Sequence, residues 1–268
     1  MRKYFAALFE QIKKDRKSFL VYSVLRALVI VTLIRCLFTR NYESAFLCVL
    51  SLVLFLLPSV FETTLHIEIP AIFENIIYLF IYAAEILGEI NHYYVIIPGW
   101  DTMLHTMNGF LCAVVGFSLV DLLNRRSSRM KLSPAYLAMV AFCFSMTVGV
   151  LWEFFECFMD LFFMFDMQKD FVVSQFGSVT LDPNNSGAVV QVKNITDTII
   201  HTASGESYTI TGGYLDIGIL DTMKDLFVNF IGAVVFSVIG FLYVANREKH
   251  KRSSRIAAGL VIRREKEV

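Results

Sequence analysis

Three carboxylates, Glu153, Glu156 and Asp160, close an apolar run that begins at Pro134. At about 100° per residue, spacings of three and four put them on one stripe of a helix, within roughly 60° of one another. Two further pairs, Asp101 with His105 and Asp221 with Asp225, repeat the i, i+4 spacing at the starts of other apolar runs. A carboxylate in hydrocarbon costs about 2.5–3.5 kcal/mol at mid-membrane, so these groups must face protein, water or a cation. Imidazole with carboxylates suits Zn²⁺, Mn²⁺ or Fe, and an all-oxygen subset suits Mg²⁺ or Ca²⁺. The candidate metal ligands and catalytic residues are therefore His105, Asp101, Glu153, Glu156, Asp221 and Asp225, with Asp160 in reserve. A divalent cation would offset the mutual repulsion of the acids and could activate water for hydrolysis. The same residue types also fit a proton or cation path. A packing network is the third reading: His105 bonded to a carboxylate, Lys224 paired with Asp221, and Asp101 and Asp221 stabilising helix starts.

The elements that must position these groups are membrane-spanning helices. Of the 268 residues 56% are hydrophobic, and mean hydropathy is +0.59; soluble domains lie nearer about 45–50% apolar. Apolar runs long enough to cross a bilayer lie at about 19–38, 44–61, 70–90, 102–123, 134–165 and 219–245. The expected fold is an all-α integral membrane protein of about six helices, with Pro70 opening the third. The 24 basic and 24 acidic residues cancel, so net charge points to neither nucleic acid nor an acidic partner, and the expected partner is the lipid bilayer. Five cysteines lie in apolar runs without a CxxC pair and read as small buried hydrophobes.

Orientation follows from Lys and Arg. Six basic residues precede residue 18, four lie between 124 and 132, and eight follow Asn246, while the connection 91–100 has none. With six spans, all three basic segments share one side, which places both termini in the cytoplasm of a plasma-membrane protein. Residues 1–18 read as an amphipathic helix on the membrane surface rather than a signal peptide, and 247–268 as a basic tail drawn to anionic lipid. In this topology Glu85, Glu89, Asp101, His105, Glu153, Glu156, Asp160, Asp221 and Asp225 all lie towards the extracytoplasmic face. Gly109, Asn229 and Gly232 follow on the same stripes, the glycines allowing close helix approach. On the inner halves, Glu74, Asn75 and Asp121 lie near the helix ends and leave an apolar gap, which favours a site open to one side.

Between the fifth and sixth helices, residues 166–218 change character to Val, Thr, Ser, Asn and Gly. Strands are expected at 171–176, 189–193, 198–202 and 207–211, with turns at 182–185 and 204–205. They form a small β-rich extracytoplasmic cap tethered on both sides to the acidic stripes. No nucleophile stands out, because Ser118 and Ser145 lack a GxSxG setting.

Trp100-Asp101-x-x-x-His105-x-x-x-Gly109, Trp152-Glu153-x-x-Glu156 and Asp221-Thr222-x-x-Asp225-Leu226 resemble, in order and spacing, motifs of the YjdF-like family of bacterial inner-membrane proteins. Asp101/His105, Glu153 and Asp225/Asn229/Gly232 are more distantly similar to motifs of the VanZ-like proteins linked to glycopeptide resistance. The resemblance implies a shared helical fold over roughly 70–240. The reading that combines residues and resemblance is a metal-assisted site acting on an envelope or lipid headgroup substrate. A proton- or cation-coupled transporter and a non-catalytic scaffold are the alternatives.

Overall fold

The computed structural model describes residues 16–126, 131–250 and 259–264. The surface helix expected within 1–18, and much of the basic tail, therefore lie outside the described residues. Among the described residues, six helical segments are long and apolar enough to cross a membrane: Ser18–Phe38, Tyr42–Leu65, Ala71–Ile90, Trp100–Arg125, Pro134–Phe163 and Ile219–Arg247. The protein is a multi-pass helical membrane protein with small separate strands.

In chain order the helices are α1 (Arg16–Phe38), α2 (Tyr42–Leu54), α3 (Leu57–Leu65), α4 (Ala71–Ile81), α5 (Tyr93–Ile96), α6 (Trp100–Arg126), α7 (Pro134–Phe163) and α8 (Ile219–His250). Pro58 sits in the first turn of α3, so the second apolar segment is two helices rather than one. Pro70 is the N-cap of α4, where its missing N–H costs nothing. The third segment changes pitch. Tyr82–Ile90 is π-helical, a form uncommon beyond single turns and enriched at functional sites.

Backbone contacts divide the chain into two units, Met1–Gly149 with Val228–Val268, and Val150–Phe227. The first unit has two apolar cores. One gathers Val29, Cys48, Phe55, Tyr78 and Ile86. The other centres on Phe117 and Phe236, whose rings meet edge to face with centroids 5.8 Å apart, and includes Leu260, Val261 and Ile262. Strand β1 (Ile67–Glu68) pairs antiparallel with β8 (Arg263–Arg264) in this unit, so the 259–264 segment packs into protein instead of lying free as a lipid-attracted tail. Cys36 and Cys48 are buried as expected, but Cys143 is exposed on α7 beside Phe144, a side chain 36% exposed, in a surface that is apolar as lipid-facing helices are.

The second unit contains the end of α7, the insert and the start of α8. The insert forms three separate antiparallel ladders: β2 (Val172–Val173) with β7 (Tyr214–Leu215), β3 (Phe176–Ser178) with β4 (Val190–Val192), and β5 (Asp197–His201) with β6 (Ser207–Thr211). Its two expected turns are present. Asp182 accepts hydrogen bonds from the N–H groups of Asn184 and Ser186 at 3.0 and 2.7 Å, and Gly205, at φ 88°, closes the 202–205 turn with its N–H on the Thr202 carbonyl.

Candidate functional site

Helix α6 carries the first pair. His105 Nε2 lies 3.3 Å from Asp101 Oδ1, and their side chains are 12% and 29% exposed, so the i, i+4 reading of the sequence holds. One turn further along, Asn108 donates from Nδ2 to Asn229 Oδ1 at 3.2 Å. Asn229 is 1% exposed, and its own amide donates to the Met146 sulfur at 3.7 Å, a weak acceptor.

Glycine makes this crossing possible. A Cβ on Gly109 would sit 2.0 Å from the Asn229 carbonyl oxygen, and one on Gly232 would sit 2.0 Å from the carbonyl oxygen of Thr106. On α7, a Cβ on Gly149 would meet Asn229 Nδ2 at 2.6 Å, and Ser145 Oγ donates to the Gly109 carbonyl at 2.7 Å. Within the first unit, α6, α7 and α8 therefore meet around Asn229 with backbones nearly touching, the close packing that small residues permit in membranes. Spans four, five and six are mutual neighbours there, as a shared site requires.

In the second unit the acids fall into two sets. Asp160 accepts from the N–H groups of Met167 and Gln168 at 2.7 and 2.8 Å, which ties the start of the insert to the end of α7. Asp221 uses Oδ2 for the Lys169 N–H at 2.9 Å and Oδ1 for Lys224 Nζ at 3.0 Å. Gln168 also donates to the Thr222 hydroxyl. Asp216 accepts from Phe171 N–H at 2.7 Å and Leu220 N–H at 2.8 Å, and no pattern in the sequence pointed to it. These acids fasten both ends of the insert to the helices. Their side-chain oxygens are engaged by backbone donors, which gives them a structural role.

Glu153, Glu156 and Asp225 make up the other set, at 4%, 7% and 1% exposure. Glu156 accepts from the Trp152 indole N–H at 2.9 Å, a contact the motif spacing did not show. Lys224 reaches Asp225 Oδ1 at 3.6 Å. Asp225 thus has a fixed cation at the edge of its reach, a longer and looser partner than Asp221 has in the same lysine.

The third span adds polar groups in the first unit. Tyr78 donates to Glu74 Oε1 at 2.6 Å, and both are buried, so the apolar gap expected along this span is narrower than the sequence implied. Glu85 and Glu89 lie in the π-helical stretch, where Trp100 donates from its indole N–H to the Ala83 carbonyl at 3.3 Å.

A protein family described as "Predicted membrane protein (DUF2238)" matches residues 21–246, most of the chain and all of the acidic stripes. The chain belongs to this family. Membership agrees with the resemblance to YjdF-like membrane proteins drawn from the Asp101/His105, Glu153/Glu156 and Asp221/Asp225 motifs. Neither a curated protein nor a solved structure shows significant similarity to the chain.

Proposed function

We propose that the protein binds a divalent cation through Asp101, His105 and Asp225, with Glu153 as a further candidate ligand, and uses it on an envelope or lipid headgroup substrate at the extracytoplasmic face of the plasma membrane. The observation that carries this reading is the crossing at Asn229. His105 stands four residues before Gly109 on α6, Glu153 four residues after Gly149 on α7, and Asp225 four residues before Asn229 on α8. Each is one helical turn from the crossing on the face it uses, and because α7 runs antiparallel to its neighbours in a six-span topology, all three steps go the same way. Asp160 and Asp221 are left out of the ligand set, since backbone donors hold them. Imidazole with two or three carboxylates suits Zn²⁺ or Mn²⁺ better than Ca²⁺. A bound ion would polarise a phosphoryl or carbonyl oxygen and activate water, while Asp101 would orient His105 through their 3.3 Å contact. The VanZ-like likeness of Asp101/His105, Glu153 and Asp225/Asn229/Gly232 is the reason for naming an envelope substrate.

Metal analysis of the purified protein tests this reading. A stoichiometric divalent cation is expected in the native chain and should be lost from both Asp101→Ala and Asp225→Ala. Its absence from the native protein after supplementation, or its retention in both variants, would sink the proposal.

The buried Tyr78–Glu74 bond, with Glu85 and Glu89 further along the same span, favours a second reading, a proton-coupled transporter. Proton-driven flux in proteoliposomes that Glu74→Gln and Glu153→Gln both abolish would put it first. Both readings place the termini in the cytoplasm.

A further inference from the structure

The basic segment at the end of the chain hides an apolar triplet. Leu260, Val261 and Ile262 are 6%, 1% and 6% exposed, packed in the core of the first unit with Phe73, Phe117, Leu137 and Val244. The Ile262 N–H donates to Ser118 Oγ at 3.0 Å, and Ser118 is itself fully buried. One residue on, the backbone enters the β1–β8 ladder, with Glu68 opposite Arg263 and Ile67 opposite Arg264.

Ser118 lies seven residues before Arg125, the end of the fourth candidate span, which is about 10 Å along the helix. The backbone here is a turn and bend over 259–261 that leads into the strand, and non-helical backbone at such depth is tolerated only where protein covers it and its polar groups are satisfied. The Ser118 hydroxyl and the β1 strand meet that condition here.

We propose that the site over Ser118 binds a short apolar peptide whose backbone turns before it enters the β1 ladder, and that the chain's own segment 260–262 occupies it and seals that end of the helix bundle. The seal acts at the end of α6 remote from His105. The inference therefore stands whether or not the cation reading does.

A cysteine pair tests it in the full chain. With the five native cysteines replaced by Ala, Ser118→Cys combined with Ile262→Cys should oxidise to a disulfide within one molecule, as the short separation of the two backbones allows. In a second arm, Ser118→Cys alone should resist a membrane-impermeant maleimide applied from the cytoplasmic side, and adding Val261→Asp should expose it. A peptide of sequence Gly-Leu-Val-Ile-Arg-Arg should then restore protection to the Val261→Asp chain. Failure to form the disulfide, a disulfide only between molecules, or equal labelling of Ser118→Cys with and without Val261→Asp would overturn the proposal.

Discussion

The two ends of α6 each carry an aspartate with an i, i+4 partner, and the partners differ in kind. Asp121 is 2% exposed and meets four guanidinium nitrogens: Arg125 Nη2 at 2.7 Å and Nε at 2.9 Å, and Arg247 Nη2 at 3.0 Å and Nη1 at 3.1 Å. Arg247 also lies over the Tyr243 ring at 5.5 Å. Asp101, at the other end, has His105 at 3.3 Å. Guanidinium is always charged and grips carboxylate through paired donors, so Asp121 is neutralised permanently and locks two helices together. Imidazole can be neutral, lets go readily and is a common metal ligand. One end of the helix is closed by its own charges, and the other carries an Asp–His pair of the kind that could hold a metal ion.

The largest effect should come from the crossing that positions the second end. Gly109→Ala places a methyl 2.0 Å from a carbonyl oxygen, and the obstacle is backbone, so the helices must separate. A loss of about 3 kcal/mol or more is expected, the upper end of the overpacking range. Thermal unfolding in detergent would measure it, and bound cation should be lost with it. A Gly109→Ala protein of native stability and cation content would mean that the crossing does not set the site.

Asp121→Ala comes next. Removing the carboxylate leaves two arginines facing each other, which for a fully buried pair would cost about 3–5 kcal/mol. Arg125 and Arg247 side chains are 44% and 29% exposed and reach water, so about 2–3 kcal/mol is the expected loss here, after allowing for solvent screening. The comparison predicts a dissociation of readouts: Asp121→Ala lowers unfolding temperature and leaves bound cation unchanged, whereas Asp101→Ala removes the cation with little change in stability. If both variants lose both properties, the two ends are not separate devices.

Part of this division was visible in the sequence. Long apolar runs fixed five of the helices to within a few residues, because a bilayer sets their length, and the i, i+4 pair Asp101/His105 on α6 was correct because it needs only helical pitch. Contacts that depend on distant segments were hidden. Asp121 finds Arg247 across 126 residues of chain. Asp160 and Asp221 carry the same signature as Asp225, yet they bind backbone N–H groups of an insert whose path no periodicity describes. The π-helical pitch of Tyr82–Ile90 leaves no mark in a 3.6-residue pattern, and three apolar residues among arginines were too short to read as a packed element.

Lys224 sharpens the comparison at the cation end. It holds Asp221 at 3.0 Å and reaches Asp225 at 3.6 Å, so a cation bound as proposed would compete with it. Lys224→Met keeps the stem and removes the charge. Like charges about 4 Å apart repel by about 4 kcal/mol at an effective dielectric of 20, but this lysine is 38% exposed and can swing away. A roughly tenfold gain in cation affinity, about 1.4 kcal/mol, is the expected result in a titration. Unchanged or weaker affinity would show that Lys224 supports the site instead of competing for it.

The smallest effect concerns the insert, where acids held by backbone donors stand against one that is not. Burial raises the Asp216 carboxyl, but hydrogen bonds from the N–H groups of Phe171, Leu220 and Gly218 outweigh it and hold the group below its ordinary value of 3.8. Asp182 is held below the same value by Asn184 and Ser186. Asp170 moves the other way, raised by burial and by the neighbouring Asp166, Asp216 and Asp160. The signs then fix the order of events on acidification. A carboxyl with a depressed folded pKa contributes stability that is present above its unfolded value and is lost as pH falls through the folded one, while Asp170 loses an unfavourable charge at higher pH, on the way down. Hydrogen-exchange protection of 167–218 should therefore hold or rise slightly from neutral pH towards about 4 and fall only below that, where carboxylates with ordinary values near 3.8 protonate. Asp216→Asn should loosen the insert at every pH and flatten the drop, and Asp170→Asn should remove the rise. Protection that declines steadily from neutral pH in the native chain would mean that these three acids do not control the insert.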